Sequence, residues 1–325
     1  MVHAIRFHKT GGPEVLVWEE VNVGKPGQGE ARIRHTAVGL NFVDIYNRSG
    51  LYPPAQLPSG LGSEAAGVVE EVGPGVPDLK PGDRVAYGSS PLGAYSEARL
   101  IPAERLLKLP DGIDDRTAAA MMLKGLTTQY LIRQTYRVKA GDTILLHAAA
   151  GGVGLILSQW AKHLGATVIG TVSSEEKAKL AKEHGCAHTI IYTREDFVKR
   201  VEEITGGKKV SVVYDSVGKD TFLKSLDCLA PLGVVALFGQ SSGAVEPLNL
   251  GLLAQKGSLY VTRPTLATYA AKRENLVAMA NELFDVVKSG AVKIEVHQTY
   301  PLKDAAKAHA DLAARKTTGS TVLLA

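Results

Sequence analysis

The segment LLHAAAGGVGLILSQWAKHLGA, residues 145–166, constrains the fold more than any other part of this 325-residue chain. Its first residues read as a buried strand. A turn of small residues follows, and a helical pattern then opens at the glycines and closes at Gly165. Ala149, Gly151 and Gly154 occupy the positions of an A-x-G-x-x-G fingerprint. Backbone that must approach a dinucleotide pyrophosphate tolerates no bulk, and the free N–H groups of a helix start attract its phosphates. The third glycine lets the helix pack closely on the sheet. A glycine turn for packing alone would not need a strand before it, a helix after it and four further strand–helix units behind it, so the pattern points to nucleotide binding.

The chain on either side of this motif differs in character. Residues 1 to about 122 read as short strands such as AIRFH, EARIRHTAVG and AAGVVEEVG. They are broken by turn chemistry such as KPGQGE, YPPAQLPSG and GPGVPDLKPGD, as in a compact β barrel or sandwich. The 34 glycines are an excess over the usual share of about 7%. From Leu123 onward strands alternate with helices, which implies right-handed βαβ units and a parallel sheet. After Arg263 come a long helix (TYAAKRENLVAMANELFDVVKSG), a strand, an amphipathic helix and a last strand, too little to stand alone. The expected class is α/β: a doubly wound Rossmann domain, residues 125–263, inserted in a β-rich domain of residues 1–124 plus 264–325.

Charge and cysteine usage narrow the function. The net charge is +4 without a basic run, which gives no support for a nucleic-acid surface. Cys186 and Cys228 form no C-x-x-C pair, and no His/Cys cluster has metal-ligand spacing. The two thiols are expected to be buried in a reducing compartment. The N-terminus reads as a strand rather than a signal peptide, and no stretch is long and apolar enough for a membrane helix, so a soluble cytoplasmic protein is expected.

The tip of the second Rossmann strand bears on the nucleotide. NAD sites place Asp or Glu there to hold the ribose 2′-hydroxyl. Here Ser173 and Ser174 follow VIGTV, and Ser173-x-x-Glu176 reads as a capping box. Lys177 falls in the first helical turn, where a cation is unfavourable for the helix dipole unless a 2′-phosphate compensates it. These residues favour NADPH.

LNFVDIYNRSGLYP, LPSGLGSEAAGVVEEVG, GDRVAYG, LKGLTTQYLIRQTY, the glycine segment and VVYDSVGKDTFLKSLDCL together resemble the zinc-free NADPH:quinone oxidoreductases, the ζ-crystallin-like branch of the medium-chain dehydrogenase/reductase superfamily. The resemblance covers essentially the whole chain. It implies a GroES-like catalytic domain around the Rossmann insert, a cleft at their junction, and homodimers paired through the Rossmann domains. In zinc-dependent relatives a cysteine ligand sits close to the place of Asn41. This chain has no cysteine before residue 186, and asparagine is a poor zinc ligand, so no metal is expected.

In a helix starting near Asn41, Asp44 shares its face and Tyr46 points elsewhere. The resemblance implies that Asn41 contacts the nicotinamide ribose region, and that Tyr46, Tyr52 and Ser63 line the quinone pocket. Plain capping for Asn41 and Asp44, and ordinary half-buried aromatics for the tyrosines, stay open as alternatives. Further cofactor contacts implied with Asp44 are Tyr130, Gly152, Val153, Ser173, Lys177, Tyr192, Phe238, Gly239, Ser241, Arg263 and Arg315. Glu64 reads as the start of a strand, and His147 as a packed core histidine. Quinones accept hydride without carbonyl polarisation, so catalysis would rest on positioning and water exclusion. Reduction of α,β-unsaturated carbonyls, or a non-catalytic NADPH- or RNA-binding role, are the rival readings.

Overall fold

The computed structural model describes residues 1–89 and 91–325. They form two units. One comprises Met1–Leu126, Ala270–Phe284 and Ile294–Ala325, and the other Thr127–Tyr269 and Asp285–Lys293.

The second unit is built on six strands in the order His188–Ile191, Thr167–Val172, Thr143–Leu146, Val210–Asp215, Leu229–Leu237 and Tyr260–Thr262, every pair parallel. The strands are Val/Ile/Leu runs because a parallel sheet is covered on both faces. Ile144, Leu145, Leu146, Val212 and Val213 are accordingly all buried. Helices Gly152–His163, Glu175–Glu183 and Phe197–Thr205 connect them. The strand order reverses beside Thr143–Leu146, the strand that feeds the glycine turn. Such a switch point is where doubly wound sheets bind ligands.

The first unit holds a seven-stranded sheet in the order Val296–Pro301, Ser320–Leu324, Glu30–Leu40, Glu64–Val72, Arg84–Gly88 and Leu107–Lys108, with Ala98–Pro102 paired to Glu30–Leu40. A three-stranded sheet joins Val17–Val21, Val2–Phe7 and Ser59–Gly60. Between them lies a core that includes Phe7, Ile33, Leu61, Tyr87, Tyr95 and Ile101. The chain's last strand, Ser320–Leu324, is interior to the larger sheet, antiparallel to Glu30–Leu40 and parallel to Val296–Pro301. Helix Ala305–Ala313 packs against helix Phe42–Ser49.

The long helix expected after Arg263 is two helices, Leu266–Tyr269 and Arg273–Lys288. Residues 264–269 and 285–293 group with the parallel sheet, although the sequence reading gave them to the other domain. Two local interactions account for this. The Tyr269 ring stacks on Tyr130, and Gln159 exchanges two hydrogen bonds with the Lys293 main chain at 2.9 and 3.0 Å.

Candidate active site

The glycine turn is held by backbone and shaped by missing side chains. His147 N–H donates to the Tyr214 carbonyl at 3.0 Å, Ala149 N–H to Thr171 at 3.1 Å, and Gly151 N–H to Ala148 at 2.9 Å. Ala148 takes the left-handed conformation, φ +54°, which a residue with a Cβ seldom adopts. A Cβ on Gly154 would lie 2.5 and 2.6 Å from the carbonyl oxygens of Ala149 and Ala148. Gly170 on the neighbouring strand makes room for Ala149, whose methyl would be 2.6 Å from a Cβ there. The helix starts at Gly152 with Gly151 as its N-cap, no side-chain cap and no acid in the first turn. Gly151, Gly152 and Val153 are half-buried. This cradle fits a pyrophosphate: close backbone, and N–H groups with no capping side chain. His147 is a core residue, bonded at Nδ1 to Thr171 and at Nε2 to Ser225, and burial lowers its pKa.

At the tip of Thr167–Val172 the cap lies one residue later than the sequence reading had it. Ser174, not Ser173, is the N-cap, and its Oγ accepts from Lys177 N–H at 3.3 Å. Ser174 also hydrogen-bonds the Glu176 carboxyl and lowers its pKa. Lys177 is thus the third helical residue, half-buried. Tyr192 joins this corner through its N–H, which donates to the Val172 carbonyl at 3.1 Å; the residue is exposed.

Asp215 organises the next two strand ends. Its buried carboxylate accepts from Val217 N–H, Gly218 N–H and Thr221 Oγ1 at 2.7–3.0 Å. Its carbonyl accepts from Phe238 N–H at 2.8 Å, and Ser241 N–H donates to Ser216 at 3.1 Å. Gly239 packs on Ser216, where a Cβ would lie 2.6 Å from the carbonyl. Arg263 Nη1 donates to the Leu237 carbonyl at 2.7 Å. Phe238, Gly239, Ser241 and Arg263 therefore meet at one edge. Tyr130 is buried, its ring 4.6 Å from Tyr269 and nearly parallel to it. Burial raises its hydroxyl pKa.

In the other unit Asn41 stands between the strand Glu30–Leu40 and the helix Phe42–Ser49, as that helix's N-cap. Two carboxylates hold it. Its main-chain N–H donates to Asp44 Oδ2 at 2.8 Å, and its Nδ2 donates to Glu64 Oε2 at 2.7 Å. Glu64 also accepts from Leu123 N–H at 2.7 Å and Lys124 Nζ at 2.8 Å, and it is fully buried. Gly39 leaves the space for it, since a Cβ there would sit 2.1 Å from Oε2. Burial pushes the Asp44 carboxyl up to about 7, against the hydrogen bonds from Asn41 and Tyr95. Tyr46 is buried and Tyr52 exposed, with ring centroids 5.3 Å apart edge to face, and the Phe42 ring lies 5.9 Å from that of Tyr46. Ser63 is buried next to Glu64, whereas Arg315 is an exposed residue at φ +59° past the last helix.

Comparison with known proteins places the chain in a family. Residues 27–111 match the alcohol dehydrogenase GroES-like domain and residues 152–281 the zinc-binding dehydrogenase family. The chain is 60% identical over 324 residues to a quinone oxidoreductase of Pseudomonas aeruginosa, all of both chains being covered. It belongs to the quinone oxidoreductase family. The solved Escherichia coli quinone oxidoreductase complexed with NADPH superposes with a TM-score of 0.98 at 54% identity, covering 99% of this chain and 100% of that one. A 2-haloacrylate reductase of Burkholderia sp is 53% identical over 330 residues, covering 100% of this chain and 99% of its own.

Within this quinone oxidoreductase fold, no group of three or more His, Cys, Asp or Glu that could hold a metal ion comes together among the described residues. No helix is long and apolar enough to cross a membrane. Sequence reasoning missed Lys124 and Asp215; Glu64 does open the strand Glu64–Val72 as expected, but its role as the buried acceptor for Asn41, Leu123 and Lys124 was not foreseen. The available signals were an acid inside an otherwise small, apolar strand opening (SEAAGVV) and an aspartate closing an apolar strand before S-V-G.

Proposed function

We propose that the protein is an NADPH:quinone oxidoreductase that works without a metal. The observation that carries this is whole-chain likeness to quinone oxidoreductases, one of them solved with NADPH. Bound NADPH supplies the hydride. The Gly151–Gly154 turn holds the pyrophosphate, and Ser173 and Lys177 read the 2′-phosphate. Tyr192, Phe238, Gly239, Ser241, Arg263 and Arg315 complete the cofactor contacts with Tyr130. Asn41 orients the nicotinamide ribose, and Asp44 acts through Asn41, because its own carboxylate is buried. Tyr46, Tyr52 and Ser63 form the flat pocket for the quinone and keep water out. The closing proton comes from a tyrosine, the ribose hydroxyl or solvent.

The protein acts in the cytoplasm, in keeping with two buried free thiols, and as a homodimer. Strand Tyr260–Thr262 ends the parallel sheet and pairs on one side only among the described residues. It leaves Tyr260 60% exposed, with Val261 beside it, so two copies would join edge to edge. Val261→Asp should then yield monomers by sedimentation.

The test is NADPH and NADH oxidation against a panel of benzoquinones, an alkenal and 2-chloroacrylate, with and without a chelator. Quinone turnover that prefers NADPH and survives chelation is expected. Turnover of the alkenal or haloacrylate alone would move the assignment to activated alkenes. No turnover at all would leave a binding protein.

A further inference from the structure

Behind Asn41 runs a buried polar chain that these roles leave unused. The Tyr95 hydroxyl donates to Asp44 Oδ2 at 2.9 Å, and its oxygen lies 3.0 Å from His309 Nε2. Asp44, Tyr95 and His309 are all fully buried. A phenol has one proton. With that proton on Asp44, His309 donates from Nε2 and its Nδ1 is a bare acceptor. Among the described residues Nδ1 has no hydrogen-bond partner, and neither do Asp44 Oδ1 or Arg48 Nε and Nη1, which are buried as well. Buried polar atoms are nearly always satisfied, so orphans on three residues of one locality need a reason. His147, with both ring nitrogens bonded, is the fully satisfied counterpart in the other unit.

We propose that Tyr95 and His309 are positioning residues for Asn41: acting through Asp44, they hold its main chain firmly when that carboxyl is ionised and less firmly when it is protonated. The proposal rests on Asn41 serving NADPH, as inferred above. The surroundings make Asp44 the group that titrates. Burial and the Glu64 charge oppose its ionisation, while the bonds from Asn41 and Tyr95 and the Lys124 charge favour it, and the balance lies at about 7. His309 is pushed down to about 3 by burial and by the Arg48 charge, so it stays neutral. Tyr95 is raised well above its ordinary value by burial and by Asp44, so it keeps its proton. Across neutrality only the carboxyl changes, and an ionised acceptor binds an N–H more strongly than a neutral one.

The experiment is the dissociation constant for NADPH, by fluorescence, from pH 5 to 9, in the wild type and Tyr95→Phe. Wild-type affinity should weaken by about fivefold as pH falls through neutrality, the scale of one charge-assisted bond becoming ordinary. In Tyr95→Phe the midpoint should move up by about one pH unit, because the ionised form has lost a hydrogen bond. The ligand's own phosphate titrates identically against both proteins. A midpoint that does not move, or a flat wild-type profile, overturns the proposal; lowered affinity at every pH without a shift indicates a packing role only. Should Tyr95→Phe not fold, His309→Gln, which keeps a donor, should hold the wild-type midpoint while His309→Leu raises it. A carboxyl-carbon NMR titration of Asp44 must give the same midpoint as the binding profile. A protein that shows the shift but reduces no quinone refutes the proposed activity and leaves this inference standing. Quinone turnover with an unmoved midpoint does the reverse.

Discussion

The helix Phe42–Ser49 and the helix Gly152–His163 both follow a strand closely, and they treat their first N–H groups in opposite ways. The first begins at Asn41, whose own N–H is taken by Asp44 three residues on, and it ends at Gly50 in the left-handed region. The second begins at Gly151, with no capping side chain and no acid in its first turn. The two helices that come next in its unit are capped, by Ser174 and Asp196. Helix starts leave four N–H groups without intrahelical partners. One start spends a buried carboxylate to fix the main chain of its N-cap; the other leaves backbone open for an anion. The first kind carries a desolvation cost inside the folded chain. The second carries none of that, but is tuned entirely by what its glycines leave out.

The comparison breaks first at Gly154. Gly154→Val puts a branched side chain against two carbonyls and should remove NADPH binding, a loss beyond a hundredfold by titration calorimetry; retained binding would mean that the turn does not hold the pyrophosphate. Next comes the cost on the other side. Asp44 has a folded pKa near 7, above the unfolded value of about 3.9. The native state therefore holds the proton more tightly, and stability falls as pH rises between about 4 and 7. Asp44→Asn should thus stabilise the protein at pH 8 by about 2 kcal/mol, less than the full linkage value because a new amide N–H₂ must be buried. The gain should vanish by pH 4 in urea titrations at the two pH values; a gain at both would point to packing.

Lys177→Ala should weaken NADPH by roughly ten- to a hundredfold and leave NADH nearly unchanged, as for a lost charge-assisted bond to phosphate. Parallel weakening of both cofactors would make Lys177 a general surface charge. The smallest effect concerns Tyr52, exposed and edge-on to Tyr46. Tyr52→Phe should change kcat for a benzoquinone by less than about threefold, whereas Tyr52→Ala should be severe. Equal losses of 10²–10⁴-fold in both would assign Tyr52 the proton.

What could be read from the sequence was local. The Rossmann units, the glycine cradle, the core role of His147 and the helix start at Asn41 all follow from neighbours within a few residues. The cap register slipped by one because Ser173 and Ser174 are adjacent and equally good caps, and only strand length decides between them. Glu64 and Lys124 lie 60 residues apart and Tyr95 and His309 214 apart. No periodicity links such positions, so the strand start at Glu64 was legible and its buried ion pair was not. Asp215 was hidden differently: its three partners are close in sequence, but a turn-forming aspartate and a site-forming one have the same spelling.

The interior place of Ser320–Leu324 in the larger sheet has a consequence for how the protein is made. Glu30–Leu40 leaves the ribosome early, yet one flank of it is completed by a strand translated after the entire parallel-sheet unit. Until then Ala37–Leu40 on that flank, beyond the part paired with Ala98–Pro102, offers open N–H and C=O groups to any passing strand, and a contact of such sequence separation closes slowly. The nascent chain therefore carries this open edge while the parallel-sheet unit is already nearly complete, and a chain cut short before Ser320–Leu324 would be a species with a sound nucleotide fold and an aggregation-prone edge.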